Sequence, residues 1–496
     1  MSKKEENIFD LINVLQDEYA TLLLNALEHG LSAIKEACEN SGYIGSYHDF
    51  PILSYNKNGL PSFSSSIGSG PIDYSNCFSS YGGKPKVDEE NIISFSTLVS
   101  FVQANPKLYE RFRIEHTSVV SEKIEKFNII AGIQDSINRY IHTYKTLDFD
   151  KDNGINAIAP TLAYIFNKNL DIDICVPILF LNFPFDDYKI ADGIYIEKIS
   201  EKLHLARYKI ESYNTSAHKL VQSSATHALV LKDWQVPNSK RMWDFNILSQ
   251  PRAYPLSIID NFFGALRIAT SVHTGYAQVY SVAKGWSAHA KADLPYLRGV
   301  TFRLYPTLFE DFYWNIDSIP TISIEHMSLI ANLYNLISST KENSIHLSIK
   351  RLNQCLVRDS EEDSVLDATI ALEALLSDDS NQEMTHKLSM RIGALTRLDS
   401  SFSNTPYQTF NDVKKIYAYR SAIVHGSKNL ESKRIIKIDE ENEVYTHLLT
   451  VNYLRMVLKI LLENPQYRDP KMIDEKLLLN YGTHEYICEE KKWSSI

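Results

Sequence analysis

From residue 321 to residue 465 apolar residues recur at helical spacing almost without a break. Only the polar loops Thr340–Ser344, Ser377–Gln382 and Asp399–Pro406 interrupt them. Amphipathic helices joined by short loops must bury their apolar stripes on one another. The stretch is therefore expected to be a bundle of four or five helices. Its last helix, Tyr445 to Leu462, is long and amphipathic, and residues 466–496 read as an appended C-terminal arm.

The sequence before Pro320 follows a different pattern. Strand-like stretches occur at Ile172–Phe183, Ile190–Ile196, Thr226–Leu231, Tyr276–Val282 and Val300–Leu304, with a helix around Leu256–Thr270. They lack the regular strand–helix alternation of a doubly wound parallel sheet, so residues 87–320 read as a mixed α+β sensor or regulatory region. Within it, residues 90–145 have helical periodicity. Residues 1–40 are also helical in spacing, whereas Asn56–Lys86 holds five Gly, eight Ser and three Pro and reads as a long loop. Residues 1–86 are thus expected to be a helical segment followed by that loop. The expected fold class is α+β, with the mixed region followed by an all-α bundle.

At 496 residues the chain is long enough for two or three domains. The longest apolar run, Ile174 to Leu181, is too short to cross a bilayer and contains Pro177. MSKKEENIFDLI has no hydrophobic signal core, and a cytoplasmic, non-membrane protein is expected. Cys38, Cys77, Cys175, Cys355 and Cys488 are widely spaced, which suggests buried thiols rather than a zinc site or a disulfide framework. A net charge of −10 argues against nucleic-acid binding by bulk charge; such a function needs a local basic site.

Common catalytic motifs are missing. The sequence has no H-E-x-x-H, no C-x-x-C pair, no acidic calcium loop, no G-x-S-x-G and no G-x-G-x-x-G after a strand. SSIGSGP, around Gly68, lacks the Lys-Ser/Thr pair of a phosphate loop and reads as loop. No metal or cofactor is expected.

What remains is YAYRSAIVHG, Tyr417–Gly426. An imidazole titrates near neutrality and can move a proton to or from a ribose 2′-OH or a leaving oxygen. A guanidinium stays charged and offers a planar fork to the charge that builds on phosphate oxygens. Arg420 and His425 are therefore candidates for metal-free phosphodiester cleavage. The spacing alone is uninformative: 17 Arg and 15 His predict roughly 1.5 cases of a His four to six residues after an Arg, and three occur. These are Arg111 with His116, Arg267 with His273, and Arg420 with His425.

Context separates the third pair. Phe410, Val413, Ile416, Tyr417, Ile423 and Val424 mark a helical face along which Arg420 lies, and Gly426 is placed to end the helix. From Lys414 to Arg434 there are six basic residues against Glu431 alone. Lys414, Lys415 and Lys428 are candidate RNA contacts, with a solvated basic face as the plain alternative. Five residues advance a helix by about 500°, leaving the two side chains roughly 140° apart. A bend, or a two-fold dimer presenting both copies to one cleft, would bring them to one site.

LDATIALEALL (Leu366–Leu376), HKLSMRIGALT (His386–Thr396) and YAYRSAIVHG together resemble the Apea-like branch of the HEPN helical domains, over roughly residues 320–465. The resemblance implies a metal-independent endoribonuclease, usually a homodimer or higher homo-oligomer with a composite site. Such domains occur in bacterial abortive-infection and other anti-phage systems. Arg420 would bind phosphate and the transition state, His425 would be the general acid/base, and Ser421 matches a frequently polar position. RNA, tRNA among the candidates, would be the substrate, and a phage-derived component the activator. Ser427 stands where the toxin branch carries a modifiable Tyr, which puts that regulatory route in doubt. Glu373 is expected to orient Arg420 or Arg391, or to form a bundle salt bridge; Lys387 and Arg391 are candidate phosphate contacts. The alternative is a non-catalytic RNA-binding or dimerisation scaffold whose function lies in the N-terminal region.

Overall fold

The computed structural model describes residues 7–41, 44–48, 50–65, 70–78, 87–113, 122–210, 217–242, 247–311, 317–378, 383–400, 402–438 and 442–479. The N-terminal helices are α1 (Ile8–Ile12), α2 (Gln16–Ser41), α3 (Ile93–Ala104), α4 (Pro106–Tyr109), α5 (Glu122–Tyr144) and α6 (Lys151–Phe166). Their apolar stripes meet in one core that includes Leu23, Leu27, Phe95, Leu98, Ile133, Ile137 and Ile165. Helices on both sides of residue 86 share this core, so the compositional break there does not divide the packing. Part of the expected loop is ordered as a hairpin, β1 (Pro51–Tyr55) and β2 (Pro61–Ser65), with Leu53 opposite Phe63. Its turn closes by Asn56 N–H to Leu60 O at 2.9 Å and places Gly59 at φ 82°, a conformation open to glycine. Gly68 lies outside the described residues.

The α+β class is realised by a six-stranded antiparallel sheet. Its strands are β3 (Asn169–Ile178), β4 (Asp187–Ala191), β5 (Ile194–Lys198), β6 (His227–Pro237), β7 (Tyr276–Ala283) and β8 (Leu297–Leu304), in the order β4-β5-β6-β3-β7-β8. The two-residue period of β3 sends Ile172, Ile174, Val176 and Ile178 to one face and Cys175 to the other. The Cys175 face is closed by residues from α7 (Glu201–Arg207) and α8 (Lys219–Ser223), with Val221 buried against Val230 and Tyr280. The Ile face receives α9 (Leu256–Ala269), which buries Phe262, Phe263 and Leu266 there.

The bundle follows: α10 (Ile324–Ser339), α11 (Asn343–Cys355), α12 (Glu361–Leu376), α13 (Met384–Leu395), α14 (Pro406–His425), α15 (Thr446–Glu463) and the short α16 (Pro470–Ile473). A small hairpin, β9 (Ile435–Lys437) with β10 (Glu443–Tyr445), joins α14 to α15. One apolar core runs from the sheet through α9 into the bundle, uniting Ile174 and Phe262 with Ile330, Leu333 and Ile349. At the α9–α11 contact a Cβ on Gly264 would stand 2.5 Å from the Ile349 Cγ2, so the absent side chain is what lets the helices approach. Buried Arg267 then crosses the seam to Asn353 Oδ1 at 2.7 Å. Among the described residues no helix is long and apolar enough to cross a membrane.

Beneath the Cys175 face, Arg207 is buried and donates to Gln222 O (2.6 Å), Ser223 O (2.9 Å), Gln278 Oε1 (3.0 Å) and His204 Nδ1 (3.1–3.2 Å). A nitrogen that accepts from a guanidinium carries no proton, so His204 is held neutral. Burial, then the Arg207 charge, pushes its pKa down to about 2. The unfolded chain therefore binds the extra proton between roughly pH 6.5 and the folded pKa, and stability falls as pH drops through that window. Urea midpoints at pH 7.5 and 5.5 should show this loss, up to about 1.4 kcal/mol per pH unit from this site. His204→Gln, which keeps an acceptor without titrating, is expected to flatten the slope.

Candidate active site

Helix α14 carries the Arg–His segment. Thr405 accepts from Gln408 N–H while the Gln408 side chain accepts from Thr405 N–H, and Pro406 stands in the first turn. The helix runs unbroken to His425, where Gly426 turns left-handed at φ 60° and Ser427 N–H closes on Ala422 O at 2.9 Å. Val413, Ile416 and Tyr417 face the core; Ala418, Ser421, Val424 and His425 face out. Because the helix does not bend before its end, Arg420 and His425 leave it roughly 140° apart. A single chain does not bring them onto one face.

Arg420 is half-buried on the side of α12. Its Nη2 lies 3.4 Å from both oxygens of Glu373, a long contact with both side chains partly open to solvent. Its guanidinium sits over the Tyr417 ring at 6.0 Å. The Arg420 Nε is sealed from solvent without a hydrogen-bond partner, and the Tyr417 hydroxyl is buried beside the Glu373 carboxylate. Burial, and then the Glu373 carboxylate, holds the Tyr417 hydroxyl well above the ordinary phenol range. A partly exposed pair of this length contributes about 0–1 kcal/mol, so Arg420 can exchange Glu373 for a phosphate at little cost.

The other two Arg–His spacings differ. Arg111 is buried, with Nε on Ile165 O at 3.0 Å and Nη2 on Tyr164 O at 2.8 Å; His116 lies outside the described residues. Arg267 is buried on Asn353 and Thr274 oxygens. Of the three arginines, Arg420 is the one that reaches the surface.

The remaining candidates separate. Arg391 is buried and fully engaged, by Asp474 at 2.6 and 2.8 Å, Asp378 at 2.8 Å and Leu376 O at 2.6 Å. Its fork is taken up in fastening the C-terminal segment to α13, which corrects its reading as a phosphate contact. Lys387 pairs with the same Asp378 at 3.1 Å. Lys414 is exposed and lies over the Phe410 ring at 5.3 Å, while Lys415 reaches Lys437 O at 3.3 Å and Asp412 at 3.8 Å. Lys428 and Ser421 are exposed. Arg434 is neutralised by Glu361 at 2.8 and 3.0 Å, so the basic strip is weaker than its sequence suggests.

Sequence reasoning passed over Tyr417 as a site residue. It stands three residues before Arg420, a spacing that places side chains side by side on a helix. It also passed over His447, whose Nδ1 lies 3.4 Å from Glu361 beside Arg434. Glu361 is 86 positions away in sequence, and no local pattern announces the pair.

Arg391→Ala should cost about 3 kcal/mol in urea unfolding, since it strands carboxylates around a vacated buried charge. Glu373→Gln should cost under about 1 kcal/mol. No protein-family model matches the chain, no curated protein is recognisably similar to it, and neither is any solved structure.

Proposed function

We propose that the chain is a metal-independent RNA endonuclease of a bacterial anti-phage, abortive-infection type, cytoplasmic and active as a homodimer or larger homo-oligomer. Residues 1–320 control it, and a phage-derived component is the trigger. The observation that carries the reading is Arg420: a loosely held guanidinium with an unpartnered Nε, at the surface of the helix that ends in His425. In the reaction, the ribose 2′-oxygen attacks the adjacent phosphorus and gives up its proton to a base. The new O2′–P bond forms as the P–O5′ bond breaks, and the leaving 5′-oxygen takes a proton. The products are a 2′,3′-cyclic phosphate and a 5′-OH. His425 serves as proton carrier, and Arg420 meets the charge on the non-bridging oxygens.

The angle between the two side chains supports a dimer. With about 140° between them on one straight helix, an arginine and a histidine from different copies are better placed to face one phosphate than a pair from the same copy. Lys414 and Lys428 would hold the flanking backbone. The scaffold reading also draws on an observation, since an Arg420–Glu373 pair is what a merely structural arginine would make.

Purified protein incubated with total bacterial RNA and tRNA in excess EDTA, with and without lysate of phage-infected cells, separates the two. Wild type should leave cyclic-phosphate ends. Arg420→Ala and His425→Ala should each cleave about 10²–10⁴-fold more slowly with unchanged unfolding midpoints. Cleavage undiminished in both variants, or no cleavage in either condition, would favour the scaffold.

A further inference from the structure

Between α9 and α11, at the junction of sheet and bundle, lies a cavity of about 740 Å³. It is the size of a small-ligand site and is lined mainly by apolar surface with a few convergent polar groups. Phe263 and Tyr276 line one wall, their rings 5.1 Å apart and tilted by 32°. Asp260, Arg267, Lys350 and Asn353 are among its polar lining, with Ser257, Asn261, His346 and Gln354.

These polar groups are unequally satisfied. Arg267 is spent: it donates to Asn353 Oδ1 (2.7 Å), Asn353 O (3.3 Å) and Thr274 O (3.0 Å), with its guanidinium carbon 5.6 Å from the Phe263 ring centre. The Asn353 amide is spent too, donating to the main-chain oxygen of Asp260 at 2.9 Å. Lys350 lies at the exposed edge. The Asp260 carboxyl lines the cavity and takes none of the ion pairs or side-chain hydrogen bonds among the described residues, feeling Arg267 and Lys350 only through space. Burial holds its pKa above the ordinary carboxylate range. A partly buried carboxyl that no side chain of the protein pairs with is a group a ligand can satisfy.

We propose that this cavity binds a planar, N–H-rich molecule, an aromatic amidine or the donor edge of a nucleobase, whose paired donors meet the Asp260 carboxylate while its ring lies against Phe263 and Tyr276. Two parallel N–H donors match the two carboxylate oxygens, and the flat body fills the slot between the helices. The occupant touches the seam that joins the sheet to the bundle. Helix α11 packs on α12, which carries Glu373, so the site lies one helix away from the partner of Arg420. The binding claim stands whether or not Arg420 and His425 cleave RNA.

Isothermal titration of the full chain with benzamidine, guanosine and benzoate tests it. Benzamidine or guanosine should bind saturably at one per chain, and the tighter of the two identifies the source of the donor edge. Benzoate should not bind. Asp260→Asn, isosteric and confirmed folded by its thermal unfolding, should weaken binding at least about tenfold, the loss expected for a charge-assisted pair. Gln354→Trp, filling the cavity from α11, should abolish binding. No saturable binding by either donor compound, equal binding of benzoate, or unchanged affinity in Asp260→Asn would overturn the proposal.

Discussion

The close approach of α9 to α11 is the constraint on which the rest of the molecule depends. Gly264 leaves the space that Ile349 occupies, and with it the apolar face of the sheet and the apolar interior of the bundle become one core. A sheet with one face uncovered must bury it, and α9 alone is too narrow for six strands. The bundle supplies the rest of the cover. Consequently the part that carries Arg420 is not tethered by a linker; it is half of the packing of the part before it.

Buried arginines recur as struts at such junctions. Arg111 ties the N-terminal helices to the end of α6 through main-chain oxygens, Arg207 ties α7 to the last residues of α8, and Arg267 ties α9 to α11. A guanidinium has five donors in a fixed plane, so one side chain can satisfy several otherwise orphaned carbonyls where loops pass under helices. Arg391 is the charged version of the same device, with carboxylates as acceptors. Against these four, Arg420 is anomalous. It has one long contact, one unpartnered nitrogen and an exit to solvent. Arg139 and Arg455 also keep a sealed nitrogen without a partner, so what Arg420 adds is its long, partly exposed contact with Glu373.

Legibility in the sequence follows the length of each pattern. The apolar runs at β3 and β7 mark those strands, whereas β6 continues past Leu231 to Pro237 and the stretch Ile190–Ile196 spans the turn between β4 and β5. Helix α14 is readable at both ends, from Thr405-Pro406 and from Gly426. The hairpin β1–β2 is not, because its strands hold Pro51, Pro61 and serines and sit inside a Gly-rich stretch. The three-residue strands β9 and β10 are too short to establish any period. At the site, residue type singles out Arg420 and His425 as candidates, while the fate of Arg391 is not legible. Its acceptor Asp474 lies 83 residues away, and only the folded chain brings the two together. Likewise the shared core of the N-terminal helices joins segments on either side of a compositional break, which local composition cannot reveal.

The angular argument about α14 reaches further than the pair it concerns. A straight helix that ends at His425 directs Arg420 toward α12 and leaves His425, Ser421 and Val424 on the outside. Val424 is 58% exposed and Tyr407, on the first turn, 75% exposed, so this outward face mixes apolar side chains with the candidate proton carrier. An isolated chain gains nothing from exposing them. Two copies meeting across this face would bury that apolar surface. Under the proposed reading, Glu373 would hold the guanidinium at an energy small enough for an arriving phosphate to displace, and a chain without substrate would keep its arginine paired.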